Sequence, residues 1–172
     1  IFMPARRPPH KQDYDMAPAG DRLAMLELAT AQDPRFVVSD LEIERGGKSY
    51  TLVTVRELRR DHLAPDDELF LLVGGDMLAD LPNWWHADEL VGEVPVIATG
   101  RPGDELQDAL EAFCANVAPR ICRRTRELAV KMESMDISAT EIRRRCAVGE
   151  PIADLVPEAV GEYIREHGLY AE

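Results

Sequence analysis

The stretch ELFLLVGGDML, residues 68–78, limits the possible folds more than any other part of the chain. Its unbroken apolar run, Leu69 to Val73, is short enough for a buried strand. Gly74, Gly75 and Asp76 then turn the chain into a helix start. VPVIATGRPG, residues 94–103, repeats the plan. IFMPA at the beginning reads as a further buried strand and ELAVKM, residues 127–132, as the last. Between these lie segments of helical spacing: DRLAMLELATAQ with Asp21 as N-cap, TLVTVRELRRDHL, ELQDALEAFCANV, TEIRRRCAVG and PEAVGEYIREHG, the last two each ending in glycine. RFVVSDLEIE alternates and then turns at Gly46–Gly47. Strands alternating with helices predict an α/β fold, a doubly wound, Rossmann-like parallel sheet covered on both faces and closed by C-terminal helices.

At 172 residues without repeats or a visible linker, the whole of 1–172 is expected to form a single domain. Asp and Glu number 32 against 20 Lys and Arg, a net charge of −12, which argues against a broad nucleic-acid-binding face. No apolar run is long enough to span a bilayer, so no membrane partner is expected. Cys114, Cys122 and Cys146 form no C-x-x-C pair, and the expectation is free thiols in a reducing cytoplasm. His62, His86 and His167 show no metal-ligand spacing, and no metal site is predicted within the chain.

Against the acidic trend, ISATEIRRR, residues 137–145, sets three arginines on the first turns of a helix. Ser138 and Glu141 fit a capping box, a purely structural device. Thr140 and Arg143 are not explained by it. A helix N-terminus offers unpaired N–H groups and a partial positive charge, and hydroxyls at Ser138 and Thr140 with the Arg143 guanidinium would hold a phosphate there. Both readings stand at this point. At Gly74 the backbone can approach a ligand at the carboxyl end of a strand, and Asp76 is placed to accept from ribose hydroxyls; the dull alternative is a tight turn with Asp76 as a cap. Trp84 and Trp85 are adjacent and so diverge in direction, which leaves one available to pack inward and the other to line a cleft; stacking on a flat ring is one use open to the second. Arg6, Arg7, His10 and Lys11 form a basic cluster on a loop suited to phosphate or carboxylate.

In order along the chain, PARRPPHK, RGGKSYTLVTVREL, LVGGDMLADLPNWW, RPG, ISATEIRRR and LVPEAVGEYIREHGLY resemble bacterial nicotinate-nucleotide adenylyltransferase, a nucleotidyltransferase family, from Ile1 to Tyr170. The resemblance implies transfer of AMP from ATP, with Mg²⁺ bridging its phosphates, to nicotinate mononucleotide, giving deamido-NAD and pyrophosphate in NAD biosynthesis. It implies Ser138, Thr140 and Arg143 on the ATP phosphates, and Gly74 and Asp76 on the adenosine ribose. Trp84 would stack on the pyridine ring, Thr51 and the backbone near Trp85 would meet the nicotinate carboxylate, and His10 and Lys11 would lie over the mononucleotide. The family's glycine-rich loop with H-x-G-H, which follows its first strand, is not found in the sequence, and no catalytic residue is assigned. IFMPA matches the family's second strand, so the expectation is a truncated enzyme lacking its central strand. Such a chain is expected to fold badly alone or to present an open slot, and to be inactive. A non-catalytic nucleotide-binding module derived from the family is the alternative, and nicotinamide mononucleotide the alternative acceptor.

Overall fold

The computed structural model describes residues 1–8, 16–100, 106–132 and 137–171. In chain order the elements are α1 (Ala19–Thr30), α2 (Leu41–Arg45), α3 (Thr51–Asp61), β1 (Leu71–Gly74), α4 (Gly75–Asp80), a 3₁₀ turn Leu81–Asn83, α5 (Ala87–Glu93), β2 (Val96–Gly100), α6 (Leu106–Cys114), α7 (Pro119–Glu127), β3 (Val130–Lys131), α8 (Ala139–Ala147) and α9 (Glu158–Glu166). They fall into two compact units, Ile1–Ser49 with Asp136–Glu172, and Tyr50–Met135.

The unit Tyr50–Met135 holds a parallel sheet in the order β1-β2-β3, with Leu71 opposite Val96 and Thr99 opposite Val130. Val73, Val96 and Ala98 are buried and pack with Leu78, Leu81, Leu106, Leu110 and Phe113 into one core. A second cluster gathers Leu52 and Val55 of α3 with Leu90 and Val94. Phe113 is fully buried, and its truncation to alanine is worth about 3–5 kcal/mol. Gly100 ends β2 where a Cβ would stand 2.6 Å from that of Leu106, so only glycine lets α6 lie this close to the sheet. Arg56 of α3 ties to Glu89 and Glu93 of α5 at 2.7 and 2.5 Å, on the solvent side.

Burial along β1 alternates, with Val73 buried and Leu72 65% exposed, and among the described residues β1 pairs with β2 alone. Two expectations for this unit change. The helices Ala87–Glu93 and Pro119–Glu127 form where no helix was read; proline at the first position starts the latter. Cys114 and Cys122 are not free thiols: they are joined, with Cα atoms 4.9 Å apart. The physical reason is the reversal at residues 115–118, which lays the last residue of α6 against the first turn of α7.

In the other unit, IFMPA is not a buried strand. Phe2 makes a single parallel bridge to Val38, with Ile1 58% and Phe2 40% exposed, and the ring of Phe2 meets Phe36 edge-on. The segment that follows Val38 folds as α2 rather than continuing to alternate. Pro18, not Asp21, caps α1; Asp21 lies inside the first turn and accepts a hydrogen bond of 2.9 Å from the Tyr163 hydroxyl of α9. The glycine stops of α8 and α9 hold: Gly149 and Gly168 have φ of +71° and +58°, the left-handed conformation that closes a helix.

Candidate functional site

Residues singled out in the sequence are distributed over both units. Ser138, Thr140 and Arg143 belong to the unit containing α8; Thr51, Gly74, Asp76, Trp84 and Trp85 belong to the one containing the sheet. His10 and Lys11 lie outside the described residues, as do Arg101, Pro102 and Gly103.

At α8 the capping box forms by half. Ser138 is the N-cap and its Oγ accepts from the Glu141 N–H at 3.1 Å. The Glu141 carboxylate does not return to the Ser138 backbone. It binds Arg144 at 2.8 and 2.9 Å and Arg145 at 2.9 Å, and these two guanidinium groups hold its carboxyl down to about 2. Arg144 reaches on to Glu150 at 2.6 Å and Arg145 to Asp154 at 2.9 Å. Helical spacing explains the choice: from Glu141, Arg144 and Arg145 are at i+3 and i+4 and face it, whereas Arg143 at i+2 does not. Among the described residues Arg143 therefore has no carboxylate partner. Its charge is felt by the half-buried Tyr170, whose phenol burial pushes up and Arg143 and Arg22 pull back. One guanidinium of the triplet is thus without a carboxylate among the described residues, in a helix whose exposed N-terminus carries the Ser138 and Thr140 side chains. That arrangement can bind an anion.

In the sheet unit, Gly74 is the last residue of β1 and the N-cap of α4. A Cβ there would lie 3.0 Å from Asp76 Oδ1. Asp76 does not cap α4; it stands exposed in the first turn at the carboxyl end of the sheet, where open α/β sheets take their ligands.

The tryptophans divide as their adjacency requires. Trp84 is half-buried against both core clusters, and its indole N–H points to Asp80 Oδ2 at 3.3 Å. Trp85 is 45% exposed, with the Tyr50 ring 4.8 Å away and the His86 ring at 4.0 Å. His86, with φ of 53°, sends the chain into α5 immediately after Trp85 and also contacts Glu89. Tyr50 was missed in the sequence, although it directly precedes Thr51, the first residue of α3. The S-Y-T segment was its signal. Tyr50, Thr51 and Trp85 thus join an aromatic platform to a helix N-terminus. No cluster of three or more His, Cys, Asp or Glu able to hold a metal occurs among the described residues, and no helix among them is long and apolar enough to cross a membrane.

The model of the cytidylyltransferase-like family matches residues 1–145. The chain is 39% identical to a protein of Geobacter metallireducens over 99% of its own length and 83% of that protein. It is 41% identical to proteins of Symbiobacterium thermophilum and Thermus thermophilus, spanning 79% and 82% of them. All three bear the name "Probable nicotinate-nucleotide adenylyltransferase". Among solved structures, the nicotinic acid mononucleotide adenylyltransferase of Plasmodium falciparum complexed with NaAD superposes with a TM-score of 0.70. That match spans 98% of this chain and 80% of that one at 17% identity. At that identity the likeness shows the fold, a Rossmann-like α/β architecture.

Proposed function

The chain belongs to the nicotinate-nucleotide adenylyltransferase family, and from that premise we propose that it transfers AMP from ATP to nicotinate mononucleotide, releasing pyrophosphate and forming deamido-NAD. The observation that carries the reading is Arg143 in the second turn of α8, which has no carboxylate partner among the described residues while Arg144 and Arg145 beside it are tied to carboxylates. The Plasmodium falciparum protein is solved with NaAD and also with APC, which supports the product and the nucleotide side respectively.

The whole of residues 1–172 is taken as one nucleotidyltransferase domain. Ser138, Thr140 and Arg143 are assigned to the ATP phosphates, and Gly74 and Asp76 to the adenosine ribose. Trp84 and Trp85 are assigned to the pyridine ring, with Trp85 and Tyr50 offering the more accessible faces. Thr51 is assigned to the nicotinate carboxylate, which the positive end of α3 favours over a neutral amide. His10 and Lys11 keep the assignment to the mononucleotide that the resemblance implies. In the reaction a phosphate oxygen of the mononucleotide attacks the α-phosphorus of ATP, the bond to the β-phosphate oxygen breaks, and pyrophosphate departs. Such a transfer rests on positioning and on neutralising phosphate charge, without a covalent protein intermediate. Mg²⁺ enters with ATP, as part of the substrate. The reaction is assigned to the cytoplasm, where ATP is made and used.

The test is pyrophosphate release with MgATP and either nicotinate or nicotinamide mononucleotide at equal concentration. Release that favours nicotinate at least about tenfold, the discrimination expected of a site built for one polar group, supports the assignment. Equal rates would overturn the choice of acceptor. MgATP binding without release on either acceptor would establish the non-catalytic module instead.

A further inference from the structure

We propose that the Cys114–Cys122 bridge is a thiol-exchange site that takes an anionic low-molecular-weight thiol. The bridge spans a helical hairpin whose turns are satisfied locally: Asn116 N–H donates to Phe113 O at 3.0 Å and its side chain to Ala112 O at 2.9 Å, and the Cys122 N–H donates to Ala118 O at 3.1 Å. Neither helix end therefore depends on the bridge for its hydrogen bonds. Both cysteines are half-buried and open onto a groove of about 560 Å³ that Val117, Arg123, Arg126 and Glu127 also line.

The groove is cationic in a chain of net charge −12. Arg123 and Arg126 line it with one acid, Glu127, and α7 carries two more arginines, Arg120 and Arg124, elsewhere on its nine residues. Arg123 meets Glu127 only at 4.0 Å, both well exposed, and Arg126 has no ion pair among the described residues. A thiol carrying carboxylates, such as glutathione, is drawn to this groove, and a neutral thiol is not.

The two sulfurs are not equivalent. Cys122 sits in the first turn of α7, at its positive end and beside the arginines, whereas Cys114 is the last residue of α6, at a negative end. A thiolate is the better leaving group where positive charge stabilises it. The incoming thiolate attacks Cys114 Sγ, the S–S bond breaks, and its electron pair departs on Cys122 Sγ. A second thiolate attacks the outer sulfur of the mixed disulfide and releases Cys114. Two small thiols are oxidised to one disulfide and the protein gains two thiols; the reverse sequence closes the bridge with that small disulfide as oxidant.

With Cys146 first alkylated, bridge opening is followed by alkylation and mass spectrometry of the folded protein in reduced glutathione and, separately, in 2-mercaptoethanol at matched thiolate concentration. The glutathione rate is expected to exceed the neutral one, and the ratio to fall roughly five-fold in R123Q/R126Q, with the trapped adduct on Cys114. In the unaltered protein, 0.5 M salt should lower the same ratio by a similar factor, roughly several-fold, since exposed charges are screened. A ratio that neither the substitutions nor salt moves would overturn the proposal. So would a bridge that opens only in denaturant.

Discussion

Helices α7 and α8 each concentrate arginine in an acidic chain, and they spend it differently. In α8, Glu141 stands three and four residues before Arg144 and Arg145, and Glu150 and Asp154 follow in the next loop, so two of three charges are neutralised where they stand. In α7 the one acid, Glu127, comes last and takes a loose hold of Arg123 alone. The difference teaches that the arginines available to a ligand are selected by the register of the acids around them. A count of basic residues would rank α7 above α8. Register leaves Arg143 as the one residue of its triplet without a carboxylate partner among the described residues.

The comparison is broken most directly at Arg143. Arg143→Ala is expected to weaken MgATP binding roughly 10- to 100-fold, the worth of a charge-assisted bond of about 1.5–3 kcal/mol, with little change in thermal midpoint. Arg126→Gln in α7 should change MgATP affinity less than about two-fold, as surface substitutions away from a site do. Calorimetric titration with MgATP separates the two, and equal losses would mean that α7 and α8 do not differ in what their arginines bind.

A smaller effect is expected at the cap. Ser138→Ala removes the acceptor for the Glu141 N–H and should cost about 1 kcal/mol in denaturant unfolding, together with some phosphate affinity. A loss of stability with unchanged MgATP affinity would return Ser138 to a purely structural role.

The smallest effect is one of pH. Glu141 titrates near 2 in the folded protein because Arg144 and Arg145 hydrogen-bond its charged form. Its folded value lies below the ordinary carboxylate value, so its contribution is complete above about 4.5 and is lost as pH falls toward 2. Glu141→Gln should flatten that part of the acid unfolding curve slightly, a solvent-exposed network being worth little. An unaltered curve would show that the network holds Arg144 and Arg145 in place without stabilising the fold.

Much of the sheet unit could be read locally. Leu69 to Val73 followed by two glycines encodes strand, turn and helix within one short stretch, and the structure puts β1 and α4 there. Arg143 was singled out because the capping box left it unexplained. The reason it is free, the i+3 and i+4 spacing from Glu141, was equally present in the sequence. The disulfide was not legible: a separation of 8 becomes a contact only once residues 115–118 reverse the chain, which depends on both helices packing into the same core. Nor could local pattern say which tryptophan faces outward, since that turns on Trp84 packing against both core clusters as it closes the 3₁₀ turn, with Trp85 left 45% exposed. IFMPA shows the opposite failure: its apolar composition is that of a strand, but a strand exists only with partners, and here Phe2 has a single bridge.

The edge position of β1 has a consequence for the protein as a material. A strand with one side unpaired among the described residues and a 65% exposed leucine is a template onto which another chain can add. What opposes such addition is mutual repulsion between copies that each carry a net charge of −12. That repulsion reaches about 8 Å at physiological ionic strength and about 3 Å in molar salt. Concentrated solutions should therefore keep best at low salt, and Leu72→Lys should extend their shelf life where the salt cannot be lowered.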